Sequence, residues 1–83
     1  MNEQFKVIYF HEKSIVGYKH IPANNHLDLI DKIKIQMGLP KHIKERTVLE
    51  LNVDYEGKTI RVITLDQITM IEIELPKQNK KGE

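Results

Sequence analysis

Eighty-three residues with 40% hydrophobic and 30% charged side chains support one domain around a single modest core and exclude a second. The chain has no cysteine, which excludes disulfides and thiolate metal sites. The net charge of +1 conceals blocks of +3 over residues 1–46, −4 over 47–75 and +2 over 76–83, an uneven distribution able to steer a charged partner.

No apolar run approaches the ~20 residues of a membrane span. Met1-Asn2-Glu3-Gln4 lacks the basic start and apolar core of a signal peptide, so a cytoplasmic protein is expected. Abundant Lys, Ile and Asn, with Arg46 and Arg61 as the only arginines, point to an AT-rich coding background such as that of a low-GC bacterium or its phages.

Phe5 to His11 and Ile15 to Ile21 are rich in β-formers and predict a hairpin turning through Glu12 and Lys13. Both of its faces are apolar, with Phe5, Val7, Tyr9, Val16 and Tyr18 on one and Ile8, Phe10 and Ile15 on the other, as in a layered structure or barrel. Gly17 signals a bulge, a bend or a close approach by another backbone. Pro22 ends the second strand. Asn25 as N-cap, Asp28 at the capping-box position and the stop at Gly38 and Pro40 predict a helix to about Met37. Leu29, Ile30, Ile33 and Met37 form its apolar stripe. The connector Pro40 to Arg46 is expected to hold one helical turn with Ile43 turned inward.

Thr47 to Leu75 carries the clearest strand signals. Leu49, Leu51, Val53 and Tyr55 alternate with Glu50, Asn52 and Asp54, the period of a half-buried strand. A two-residue turn at Glu56-Gly57 would pair Val53 with Ile60, Leu51 with Val62 and Asn52 with Arg61, apolar against apolar. A glycine bulge is the rival geometry. In that register Ile63 and Leu65 join Val48 on the other face, which the helix is expected to cover. In the last strand Ile71, Ile73 and Leu75 point inward and Glu72 and Glu74 outward, while Ile68 and Met70 have the opposite phase. A bulge or tight helical turn near Asp66 to Thr69 reconciles the two. The segment L-D-Q-I-T-M-I-E-I resembles the closing part of SH3-like and Sm-like small barrels, at the level of fold and over about a dozen residues.

The expected fold is therefore α+β: a single globular domain over residues 1–75 with a strongly curved antiparallel sheet, of order β-β-α-β-β-β with one covering helix, and a disordered basic tail over 76–83. Closure into an SH3-like or Sm-like small barrel is one form such a sheet takes. A helical bundle, or a 47–64 hairpin paired one residue out of register, would contradict this fold.

Four sets of residues are candidates for function. Glu50, Asp54, Glu72 and Glu74 make an acidic sheet face suited to a basic protein surface, although charged outward faces also simply keep sheets soluble. Lys41, His42, Lys44 and Arg46, with Lys77, Lys80 and Lys81 in the tail, are suited to sequence-independent phosphate binding, or are a solvated loop and tail. Lys6 is expected opposite Lys19, a like-charge pair that a bound anion would relieve. His11, His20, His26 and His42 lack metal-site spacing, the only serine is Ser14 in a turn, and no glycine-rich phosphate loop exists. Neither an enzyme nor a metal or cofactor site is expected.

The reading these features favour is a small protein-binding module, a regulator or inhibitor that occludes a partner surface, encoded by a phage or bacterium. The first alternative is a small-barrel nucleic-acid binder using Lys6, Lys19, Lys41, Lys44 and Arg46. The second is a self-assembling subunit, a homodimer or ring joined through an edge strand.

Overall fold

The computed structural model describes residues 3–75, and its elements follow the expected order. β1 (Glu3–His11) and β2 (Ser14–Ala23) form the first hairpin. Then come α1 (His26–Met37) and the single turn α2 (Lys41–Lys44). β3 (Val48–Asn52), β4 (Ile60–Thr64), a 3-10 turn at Leu65–Gln67 and β5 (Met70–Glu74) complete the fold. The strands make one antiparallel sheet in the order β4-β3-β2-β1-β5. This is the expected α+β class with one main helix. Among the described residues β4 and β5 are its free edges, so the sheet is open and does not close into a barrel. The expected tail over 76–83 lies outside the described residues.

The helix forms where its caps predicted. Asn25 Oδ1 accepts from the Asp28 N–H at 2.9 Å, satisfying a donor that the helix start leaves free, and the Asp28 carboxylate accepts from the N–H of Asn24, the residue before the cap, at 3.1 Å. Gly38 closes the other end, its N–H bonded to the Lys34 carbonyl at 2.9 Å. Of the predicted stripe, Leu29 is fully buried and Ile33 and Met37 pack against the core, whereas Ile30 is half-buried and stands outside it. Ile43 on α2 is 40% exposed and does not turn inward as expected; Leu39 packs against the core just before it.

The first hairpin turns at Glu12-Lys13, with Glu12 at φ 56°. His11 opposes Ser14 and Phe10 opposes Ile15, after which the register shifts, so that Tyr9 faces Gly17, Ile8 faces Tyr18, Val7 faces Lys19 and Lys6 faces His20. The expected Lys6–Lys19 opposition is thereby overturned. Val16 is the extra residue on β2, and one extra residue exchanges the faces of everything beyond it. Tyr18 accordingly leaves the face of Tyr9 and joins that of Ile8. Gly17, flagged by the sequence, sits where β3 crosses: a Cβ there would lie 2.7 Å from Leu51 Cβ and 2.9 Å from the Asn52 carbonyl oxygen.

The β3–β4 hairpin is paired one residue away from the expected register. Leu51 opposes Arg61, Glu50 opposes Val62, Leu49 opposes Ile63 and Asn52 opposes Ile60. The cause is the loop. Asp54 and Gly57 bracket a turn in which the Gly57 N–H reaches the Asp54 carbonyl at 3.3 Å, and Gly57 has a φ of +73°. Asp54 Oδ1 accepts from the Lys58 N–H at 2.8 Å, and the Val53 N–H bonds to the Thr59 carbonyl at 3.2 Å. Asp at the first and Gly at the fourth position is the signature of a type I turn, and a loop of this length changes the register relative to a two-residue turn. The α+β class rests on element order and survives. What changes is the inward face of β4: Ile63 packs against the core, while Ile60 and Val62 are 53% and 61% exposed.

The core occupies one side of the sheet, where Phe5, Val7, Tyr9, Leu49 and Leu51 meet Ala23, Leu29, Leu65 and Ile68. The expected tight turn is the 3-10 turn at Leu65–Gln67. It lets Ile68 be buried ahead of β5, where Ile71 and Ile73 pack against the core and Glu72 and Glu74 point to solvent. Leu75, expected inward, is 57% exposed just past the strand. The helix was expected to cover Val48, Ile63 and Leu65 together. Instead α1 lies against β2, α2 lies beside the 3-10 turn, and Val48 remains 54% exposed. The register explains this, because it puts Val48 and Ile63 on opposite faces.

Candidate functional site

Residues directly opposed in an antiparallel sheet share a face, so the pairings define what the side away from the core presents. One row crosses every strand: Glu72 on β5, Ile8 on β1, Tyr18 on β2, Asn52 on β3 and Ile60 on β4. Beside it run Glu74, Lys6 and His20, and on the other hairpin Glu50 with Val62 and Val48 with Thr64. The face has an acidic rim on β5, an aromatic and basic middle, and an apolar end on β3 and β4.

The middle is held by contacts among its own side chains. Lys6 Nζ stands 4.7 Å from the centre of the Tyr18 ring, a cation–π contact, and His20 meets that ring edge-on at 5.8 Å. The Tyr18 hydroxyl donates to the Asp54 carbonyl at 3.0 Å, tying the two hairpins together near their one opposed pair, Tyr18 and Asn52. At the apolar end Val48, Ile60 and Val62 are all more than half exposed, and Tyr55 at the loop tip is 98% exposed.

The acidic candidates divide. Glu72 and Glu74 are exposed neighbours on β5, and Glu50 is exposed on the same face. Between β5 and β3 lie β1 and β2, so Glu50 stands about three strand spacings, roughly 14 Å, from the other two. Asp54 is committed to its own loop. Desolvation is the largest single influence on its carboxyl and acts to raise the pKa, but the hydrogen bonds from Lys58, Thr59 and Gly57 together outweigh it and hold the pKa below the usual carboxylate value. Asp66 is likewise lowered, first by the Thr64 hydroxyl, then by Gln67 and by the charge of Lys41.

The basic candidates do not converge. Lys6 is on the open face, whereas Lys19, opposite Val7, is on the core-side parity. Lys41, His42 and Lys44 belong to α2, beside the 3-10 turn, and Arg46 follows it. Arg61 reaches the Val16 carbonyl at 2.8 Å through Nη1. The histidines take separate local duties: His11 Nδ1 lies 2.7 Å from the Gln67 carbonyl, His20 contacts Tyr18, His26 opens α1 and His42 lies on α2. Among the described residues no group of three or more His, Asp or Glu could hold a metal ion. No helix among the described residues is long and apolar enough to cross a membrane.

Sequence reasoning missed Val48, Ile60 and Val62 as surface residues. The signal was present in Asp54 and Gly57, whose turn signature fixes the loop length and with it the face of Ile60 and Val62. No family model, no curated protein and no solved structure matches the chain.

Proposed function

We propose that this chain is a non-enzymatic protein-binding module, a regulator or inhibitor that covers a partner's surface with the open face of its sheet. The observation that carries this reading is the exposure of Val48, Ile60 and Val62, at 54%, 53% and 61%, beside Glu50 and across the sheet from Glu72 and Glu74. Exposed apolar groups edged by charge are the composition of a contact surface. The partner that fits is a protein surface with apolar side chains at its centre and Lys or Arg at its border. A cytoplasmic location and a phage or bacterial source belong to the same proposal.

The test is capture by the tagged protein from a low-GC bacterial lysate, with and without nuclease, beside a Glu72→Lys, Glu74→Lys variant. One stoichiometric protein, retained after nuclease and lost with the charge reversal, supports the reading. Capture unaffected by charge reversal removes the role of the acidic rim. Nucleic acid that elutes with salt would replace this reading with phosphate binding by the lysines.

A further inference from the structure

The two free edges of the sheet are not alike. On β5 the open-face residues are Met70, Glu72 and Glu74, so a second β5 laid antiparallel about Glu72 would set carboxylate against carboxylate, which is destabilising. On β4 the open-face residues are Ile60, Val62 and Thr64, with no charge among them. The acids guard one edge and leave the other unguarded.

The backbone of β4 is also prepared for a partner. The Leu65 N–H bonds to the Thr47 carbonyl at 2.8 Å and the Val53 N–H to the Thr59 carbonyl at 3.2 Å, at the two ends of the β3–β4 ladder. In an antiparallel pair hydrogen-bonded positions alternate, so Arg61 and Ile63 are the β4 residues whose peptide groups face β3. The N–H and C=O groups of Ile60, Val62 and Thr64 therefore point away from the sheet, into the free edge.

We propose that β4 pairs with β4 of a second copy, antiparallel about a two-fold axis at Val62, joining two five-stranded sheets into one. Val62 then faces Val62, and Ile60 faces Thr64 in both directions. These are the positions whose peptide groups are free, so the outward donors and acceptors of both strands find partners in one register. On the core-side parity Arg61 faces Ile63, and no like charges meet. The arrangement is isologous and closed, and the net charge of +1 per chain opposes it little. It leaves the open face uncovered and places two copies of its apolar end side by side, so it stands or falls independently of the partner reading.

The test is mass in solution as a function of concentration, by sedimentation or light scattering, on the full chain. The expected result is a rise from one 9.8 kDa chain toward two and no further, with Val62 amide exchange slowing as concentration rises. Val62→Lys sets lysine against lysine on the axis and is expected to raise the half-dimerisation concentration roughly tenfold or more. Val62→Pro removes an outward N–H that β3 does not use, a position where edge strands tolerate proline, and is expected to do the same. Circular dichroism establishes that both variants are folded, and Glu72→Lys, on the far edge, is expected to leave the mass unchanged. A single chain at all concentrations, a dimer indifferent to both Val62 substitutions, or a series of masses beyond two would each overturn the proposal.

Discussion

Replacing Gly17 with alanine tests the joint between the two hairpins. Gly17 does not occupy the left-handed region, since Gly57 is the glycine with positive φ. At a site with compatible backbone, Gly→Ala normally stabilises by about 0.4–1 kcal/mol through the unfolded chain. Here the added Cβ would meet Leu51 Cβ at 2.7 Å and the Asn52 carbonyl oxygen at 2.9 Å, and neither is the far end of a flexible side chain. Forcing a methyl group into packed structure costs about 1–3 kcal/mol. The balance is a net loss of about 1–2 kcal/mol, or roughly 5–15 °C in Tm for a domain of this size. Because β2 and β3 share only the Tyr18–Asn52 pair, the strain is expected to separate the hairpins there, weakening the Tyr18 to Asp54 hydrogen bond. Urea unfolding reads the loss as a lower midpoint at unchanged slope. A midpoint equal to or above that of the unsubstituted protein would refute the close crossing, because the entropic effect would then stand unopposed.

Tyr9 is completely buried and its hydroxyl has no hydrogen-bond partner among the described residues, so Tyr9→Phe is expected to be neutral or to stabilise by about 1 kcal/mol, read from the urea midpoint. Burial pushes the Tyr9 phenol up to about 12 from 10.0. Below pH 10 the phenol is protonated folded and unfolded alike. As pH rises from 10 toward 12 the unfolded chain releases its proton first, and stability falls by about 1.4 kcal/mol per unit, to a total near 3 kcal/mol. Tyr9→Phe is expected to abolish that share of the alkaline loss. Asp54 and Asp66 have pKa values held below 3.8; their contribution is complete above that value and is lost as pH falls through the lower folded values. Asp54→Asn is therefore expected to flatten the acid limb of the stability profile, measured by thermal unfolding across that range. Asn25→Ala removes the α1 cap and is expected to cost about 1 kcal/mol, read in the same unfolding assay.

The fold was legible wherever a local physical rule had one solution. Asn25, Asp28 and Gly38 bounded α1 because caps are local chemistry, and the phase change at Ile68 and Met70 implied the tight turn that Leu65–Gln67 supplies. Register was not legible, because it depends on how many residues a loop absorbs. β4 contains Ile60 and Val62 on one parity and Ile63 on the other, so either face was an acceptable core face from composition alone. The same holds for β2, where the bulge at Val16 moved Tyr18 to the open face and took Lys19 out of line with Lys6. The candidate site inherited these shifts. Glu72 and Glu74 were found by alternation, Asp54 turned out to serve its loop, and the apolar end of the open face was hidden by a register error.

The central claim is that β4 turns Ile60 and Val62 away from the core, and backbone NOEs test it most directly. Opposed residues outside the hydrogen-bonded pairs bring their Cα atoms to about 4.5 Å, so strong Hα–Hα contacts are predicted between Glu50 and Val62 and between Asn52 and Ile60. Contacts of Leu51 with Val62 and of Asn52 with Arg61 would contradict the account. They would turn Ile60 and Val62 inward and remove the apolar end of the open face on which the proposed binding rests.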